Sequence, residues 1–149
     1  MISLPSKDFL DTPIEDYIIS SEKVAHVQIG NSAEHALLVL TKTGYSAIPV
    51  LDSKYRFRGL INAQRITDAI LGLDHIEYER LSDIRVEDIM EKDLPLIHIN
   101  ERFQKALDMV INQNFLCIVD DEEMFMGILT RRVVLKQLKK QLYQLKNSM

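Results

Sequence analysis

Tryptophan is absent from this sequence, cysteine occurs once, glycine five times and proline four times. A single thiol, Cys117, excludes an internal disulfide. Its setting in the apolar run Phe115-Leu116-Cys117-Ile118-Val119 points to a buried structural residue in a reducing cytoplasm. Apolar runs are only a few residues long, far short of the roughly 20 needed to span a bilayer. The opening MISLPSKDFL has no basic start followed by an apolar stretch, so no signal peptide is expected. The glycine and serine motifs of nucleotide-dependent enzymes and hydrolases are missing, as is the paired-histidine signature of zinc proteases. His26, His35, His75 and His98 lie at no ligand spacing. The acidic run Asp120-Asp121-Glu122-Glu123 lacks the glycine spacing of a calcium loop and reads as a solvated turn. No nucleophile–base pair or metal set can be assembled, so an enzyme is not expected, and no cofactor or metal site is assigned.

What is present is the composition of a globular domain: 149 residues, 46% apolar and 27% charged. The net charge of −4 is unevenly spread. Residues 131–149 hold six basic residues and no acidic one, and the first 130 hold 12 basic and 22 acidic. A sequence pI near 5.5 gives no broad footprint for nucleic acid, and neither nucleic acid nor a membrane is an expected partner.

The chain repeats itself. Ile14-Glu15-Asp16-Tyr17-Ile18 is echoed by Val86-Glu87-Asp88-Ile89-Met90, and Val27-Gln28-Ile29 by Ile97-His98-Ile99. Ala36-Leu37 returns as Ala106-Leu107, Tyr45-Ser46-Ala47-Ile48 as Phe115-Leu116-Cys117-Ile118, and Gly59-Leu60-Ile61-Asn62 as Gly127-Ile128-Leu129-Thr130. A near-constant offset is the mark of a tandem duplication. It divides the chain into an N-terminal arm (1–13), a first motif (14–73), a linker (74–85), a second motif (86–140) and the end of the last helix with its tail (141–149).

Each motif reads alike. A short helix opens it, and an extended alternation follows, VAHVQI or LPLIHI. Next comes an amphipathic helix with Ala36, Leu37, Val39 and Leu40, or Ala106, Leu107, Val110 and Ile111, on one face. Ser32 and Asn100 are the expected N-caps, and Gly44 and Asn114 the expected left-handed C-caps. A buried strand, a polar turn, a second strand and a closing helix complete a β-α-β-β-α unit. The closing helices are expected over 64–73 and 131–146. One unit is too small to bury its sheet face alone, and two packed sheet to sheet solve that problem.

At Gly127-Ile128-Leu129-Thr130-Arg131-Arg132-Val133 a strand runs into a helix. A helix N-terminus favours phosphate. Thr130 can cap it and donate to a phosphate or sugar oxygen, and Arg131 and Arg132 are forked, permanent donors. The alternative is that both arginines simply face solvent.

These features, "GYSAIPVLD" at 44–52, "GLI" at 59–61 and "GILTRR" at 127–132, repeated in order, resemble a pair of CBS motifs, the Bateman module. The resemblance implies an α/β (α+β) fold of two β-α-β-β-α motifs packed sheet to sheet about a pseudo-twofold axis. It also implies adenine nucleotide binding in two clefts, each combining strands of one motif with the Thr/Ser-x-x-Asp junction of the other. Carried over, the first cleft takes Lys23, Ala25, Tyr45, Ser46, Ala47 and Pro49 with Ile128, Thr130, Arg131 and Arg132. The second takes Leu94, Leu96, Phe115, Leu116 and Cys117 with Asn62 and Arg65, and is the poorer. Asn62 replaces Thr/Ser, Val119 replaces the strand proline, and Leu116 is bulky where the first cleft has Ser46, so one good site per chain is expected.

Both motifs depart from the family pattern at the acidic position, which is Val133 in one and Arg65 in the other. That acid accepts hydrogen bonds from ribose hydroxyls in similar modules. Its loss should weaken AMP by about 1.5–3 kcal/mol per bond. Cyclic di-AMP has esterified 3′ oxygens and two phosphates, so it offers no free diol and favours basic residues. The chain is similar to the small cyclic di-AMP-binding CBS proteins of Gram-positive bacteria. That likeness implies a cytoplasmic, non-enzymatic receptor and a head-to-head homodimer. It also implies a target enzyme bound by the ligand-free form: the (p)ppGpp synthetase/hydrolase, with pyruvate carboxylase as a second candidate. The alternatives are a CBS module for AMP, ATP or S-adenosylmethionine, and a ligand-free interaction module.

Overall fold

The structure is a computed structural model that describes residues 8–148. Residues 1–7 of the expected arm, and Met149 of the expected tail, lie outside the described residues. The elements run β1 (Ile19–Ser20), β2 (Val27–Gln28), α1 (Ala33–Thr43), β3 (Ala47–Leu51), β4 (Phe57–Asn62), α2 (Ala63–Ala69), α3 (Val86–Ile89), β5 (Ile97–His98), α4 (Phe103–Met109), β6 (Phe115–Val119), β7 (Phe125–Thr130) and α5 (Arg131–Ser148). Short 3-10 turns occupy Ile14–Tyr17, Ser21–Lys23 and Tyr78–Arg80. The fold is mixed α/β with two sheets, as the duplication implied.

The chain forms two compact units, and their boundaries cut across the repeats. The first holds residues 25–94 with 123–125, and the second residues 8–24, 95–122 and 126–148. Each unit thus completes its core with the opening segment of the other motif. Val86 and Met90 are buried in the first unit beside Ile48, Ile61 and Ile66. Ile14 is buried in the second beside Phe103, Leu116 and Leu129.

In the first unit the sheet order is β2-β3-β4. α1 is the crossover that makes β2 and β3 parallel. Ser32 starts α1 by accepting from the His35 N–H at 3.1 Å. Gly44 ends it in the left-handed region at φ 72°, its N–H bonded to the Leu40 carbonyl. Both caps are as expected. The next two orphan N–H groups, of Ala33 and Glu34, donate to the carbonyls of Ile84 and Leu81, so the 74–85 linker is packed against α1.

β2 is shorter than its alternating pattern predicts. It pairs only Val27 with Val50 and Gln28 with Leu51. The register on the other side of β3 explains the stop. Leu60, opposite Pro49, spends both its N–H and its C=O on Glu91. Pro49 therefore turns its nitrogen toward the β2 side, where it has no proton to offer. β5 is equally short and starts two residues after Pro95.

The turn from β3 to β4 is organised by Asp52. Its carboxylate accepts from the N–H groups of Lys54 and Arg56 at 2.9 Å each, and pairs with the guanidinium groups of Arg56 and Arg58. Tyr55 takes φ 67° at the tip. Desolvation pushes this carboxyl up, but the two N–H groups and two guanidinium groups outweigh it and hold it well below the usual carboxylate range.

In the second unit the sheet order is β1-β7-β6-β5. Two expected caps fail here. The N-cap of α4 is Arg102 rather than Asn100, and no side chain caps the helix. The Asn100 N–H donates instead to His98 Nδ1, and the Phe103 N–H donates to the Thr12 carbonyl. The arm itself caps the helix, and Phe9 packs on Phe103 with centroids 4.5 Å apart. Asn114 is not the left-handed C-cap, because α4 stops at Met109, with Val110 as its C-cap. α2 also ends sooner than the predicted 73, at Ala69, because Ile70 leaves the helix.

Gly59 and Gly127 occupy equivalent places in β4 and β7. A Cβ on Gly59 would meet the Glu91 carbonyl at 2.7 Å and Met90 Sδ at 2.8 Å. A Cβ on Gly127, at φ 146°, would collide with the Ile19 carbonyl oxygen. β1 pairs there with β7, Ser20 opposite Gly127.

Gly127→Ala should therefore cost about 1–3 kcal/mol from the backbone conformation alone, and more from the clash, measured by urea unfolding. Asp52→Asn should lower the melting midpoint at neutral pH. A depressed carboxyl stabilises the fold above its unfolded pKa and ceases to do so as pH falls through its native value. The gap between variant and parent should therefore close in acid; a gap independent of pH would contradict this role.

Candidate functional site

Both strand-to-helix junctions are built the same way. Thr130 Oγ1 accepts from the Val133 N–H at 3.2 Å, and Asn62 Oδ1 accepts from the Arg65 N–H at 2.8 Å. In each case the residue ending the strand caps the helix that follows, three residues on. The Thr130 oxygen is thereby committed, while its hydroxyl proton stays available to an acceptor.

The two arginines have different duties. The Arg131 N–H donates to the Asn114 carbonyl at 2.8 Å, and its Nε donates to the Val110 carbonyl at 2.7 Å. Val110 is the C-cap of α4, so Arg131 places its charge against the negative end of that helix. It is half-buried, and its Nε is taken up by the fold. Arg132 is exposed and makes no hydrogen bond or ion pair among the described residues. The first turn of α5 contains no acidic residue. The expected pair of ligand arginines is thus one anchored group and one free one.

Among the other expected residues of the second unit, Ile128 lies opposite Ile19 of β1, half-buried. Lys23 ends the 3-10 turn that follows β1 and is exposed. The antiparallel pairing leads the chain from Ile128 toward Gly127, away from Thr130.

The first unit collects the rest at one end of its sheet. Tyr45, 44% exposed, and Ser46 follow the α1 cap, and Ala47 opens β3. The parallel register sets Ala25, just ahead of β2, on the same side as the start of β3. Ala25 and Ala47 are half-buried and small, and Pro49 is buried. Pro49 shapes the strand from its buried position.

The poorer site loses more. Leu116 is fully buried and Cys117 is 1% exposed. Burial pushes the Cys117 thiol up to about 12, so it is neither a contact nor a nucleophile. Arg65 donates to the Ile89 carbonyl at 3.1 Å. Beside it lies a cavity of about 640 Å³ lined by Asn62, Gln64, Arg65, Asp68, Ala69, Ile89 and Glu91. Gln64, Asp68 and Glu91 were not among the expected site residues. Asp68 was accessible to sequence reasoning, because it stands one turn beyond Arg65 at helical spacing. Glu91 was not, because it arrives from the other repeat through the Leu60–Glu91 bridge. Among the described residues no group of histidine, cysteine and acidic side chains could hold a metal ion.

The CBS-domain family model matches residues 14–72 and 86–140. The chain belongs to the CBS-domain family. This CBS protein is 53% identical over 145 residues to Cyclic di-AMP receptor B of Bacillus subtilis (strain 168), covering 97% of this chain and 99% of that one. The solved CbpB protein of Listeria monocytogenes, in complex with c-di-AMP, is 53% identical. It covers 88% of this chain and 98% of that one at a TM-score of 0.81. A CBS domain-containing protein of Bacillus anthracis is 54% identical, covers 90% of this chain and 97% of that one, and has a TM-score of 0.83.

The division of labour at the junction is testable without a ligand. Arg131→Ala should destabilise the CBS protein by about 1.5–3 kcal/mol, the range for a hydrogen bond to a charged group. Arg132→Ala should stay within about 0.5 kcal/mol of the parent. Denaturant midpoints measured side by side check the pair; equal effects would refute the assignment.

Proposed function

We propose that this CBS protein is a non-enzymatic receptor for cyclic di-AMP. The observation that carries the reading is the 130–133 junction: a capped helix start with an unpaired arginine, Arg132, and valine where an acid would hold a ribose diol. Two relatives at 53% identity agree with it, one named for this ligand and one solved with it. Tyr45, Ser46, Ala25 and Ala47 would receive the base, the two alanines leaving backbone groups open to its edge. Thr130, Arg131 and Arg132 would receive phosphate, with Ile128 and Pro49 shaping the walls. Lys23 rests on the resemblance alone.

The binding step involves no bond making or breaking. As a receptor, the protein must couple ligand to partner through two states that the ligand distinguishes. In this proposal the ligand-free homodimer binds its target enzyme, by resemblance the (p)ppGpp synthetase/hydrolase or pyruvate carboxylase, and cyclic di-AMP opposes that contact. Among the described residues, no helix is long and apolar enough to cross a membrane, which fits action on such targets.

Isothermal titration with cyclic di-AMP, AMP, ATP, S-adenosylmethionine and cyclic di-GMP tests the reading. Cyclic di-AMP should bind tightest, and Arg132→Ala should weaken it by about 1.5–3 kcal/mol. Tighter binding of AMP would overturn the proposal.

A further inference from the structure

One turn past the 130–133 junction, α5 presents Lys136. This residue stands four positions beyond Arg132 and three beyond Val133, so on a helix it shares the face that both occupy. It is exposed, and neither Arg132 nor Lys136 has a side-chain hydrogen bond or ion pair among the described residues. α5 contains no acidic residue, so nothing on the helix offsets the pair. Like charges four residues apart repel, and Arg132 at the helix start also opposes its dipole. An anion seated over this face would relieve both.

The tandem duplication supplies an internal comparison. The register that equates Thr130 with Asn62 also equates Val134 with Ile66, both fully buried, and Lys136 with Asp68. At its own junction Asp68 lines the cavity of about 640 Å³ together with the cap Asn62 and with Gln64 and Arg65. Those three are the counterparts of Thr130, Arg132 and Val133. The position of Lys136 is therefore one that borders the hollow beside a junction, and the two repeats fill it with opposite charges. Asp68, with Glu91 in the same lining, disfavours phosphate at the first junction. Lys136 favours it at the second.

We propose, on the reading of this protein as a cyclic di-AMP receptor, that Lys136 receives the second phosphate of the ligand and so makes the site prefer a dinucleotide to a mononucleotide. One phosphate can be held by the N–H groups at the start of α5, the Thr130 hydroxyl and Arg132. The other is held apart from the first by the two riboses of the ring, and needs a separate cation. Side chains one turn apart stand roughly 5–6 Å from each other at Cβ, and an arginine and a lysine are long enough to reach two phosphates of one small ring. Lysine suits the second place, because its ammonium is a point charge whose donors rotate to the acceptor. AMP has a single phosphate and leaves Lys136 unused.

Isothermal titration of the full chain with cyclic di-AMP and with AMP tests this role. Lys136→Gln should weaken cyclic di-AMP roughly tenfold and leave AMP within about twofold of the parent. Arg132→Ala should weaken both ligands. Lys136→Arg, which keeps the charge, should restore most of the affinity for cyclic di-AMP. The gap between the parent and Lys136→Gln should narrow as salt is raised. Without ligand, the melting midpoint of Lys136→Gln should match or exceed the parent's, since a like-charged neighbour of Arg132 is gone. Equal loss for both ligands, no loss for cyclic di-AMP, or a loss traced by sedimentation to altered assembly would overturn the role of Lys136 and leave the receptor reading standing. Failure of the parent to bind cyclic di-AMP would instead overturn the receptor reading, and the role of Lys136 with it.

Discussion

The whole structure depends on one backbone crossing, made twice. The segment that opens each motif lies against the second hairpin strand of the other, and it does so at a glycine. At Gly127 the Ile19–Ser20 backbone comes so close that no side chain has room, and at Gly59 the Met90–Glu91 segment does the same. The close approach lets Ile14 enter one core and Val86 the other. Neither core reaches its final form from one repeat alone, which is why the duplication is structural as well as historical.

The strand that makes the crossing also ends in the functional junction. β4 and β7 alternate buried and half-buried residues to their last position, and there the polar residue turns to cap the next helix. Local needs absorb much of the chemistry. Thr130 spends its acceptor on Val133, and Arg131 spends its Nε on the end of α4. What is left for an anion is the hydroxyl proton of Thr130, the terminal nitrogens of Arg131 and the guanidinium of Arg132. The helix start owes its preference for phosphate to residues whose first task is to finish a turn.

Much of this was legible in the residues, and the failures share a cause. The repeat offset, the β6 and β7 runs and the Ser32 and Gly44 caps depend on neighbours in sequence, and they stand in the structure. Asn100 was misread because the Phe103 N–H at the start of α4 is satisfied by the Thr12 carbonyl, from the opposite end of the chain. The extended stretch before β2 failed because pairing stops at a proline on the neighbouring strand. The structural bond of Arg131 was not legible, since its partner Val110 belongs to a helix that ends a turn sooner than its counterpart α1. On the candidate site, residue identities were readable, whereas the sharing of each donor between fold and ligand was not.

The exchanged opening segments bear on how the chain is made. A ribosome delivers residues 25–73 first, yet that core lacks Val86 and Met90, and its last β-bridge needs Met124. The first unit cannot close until most of the chain has emerged. Phe9, Ile14 and Tyr17, made earliest of all, must wait for Phe103 and Leu129. Synthesis from one end therefore leaves both half-cores open together. The nascent protein carries its apolar segments unsheltered until near release, and then completes two cores almost at once.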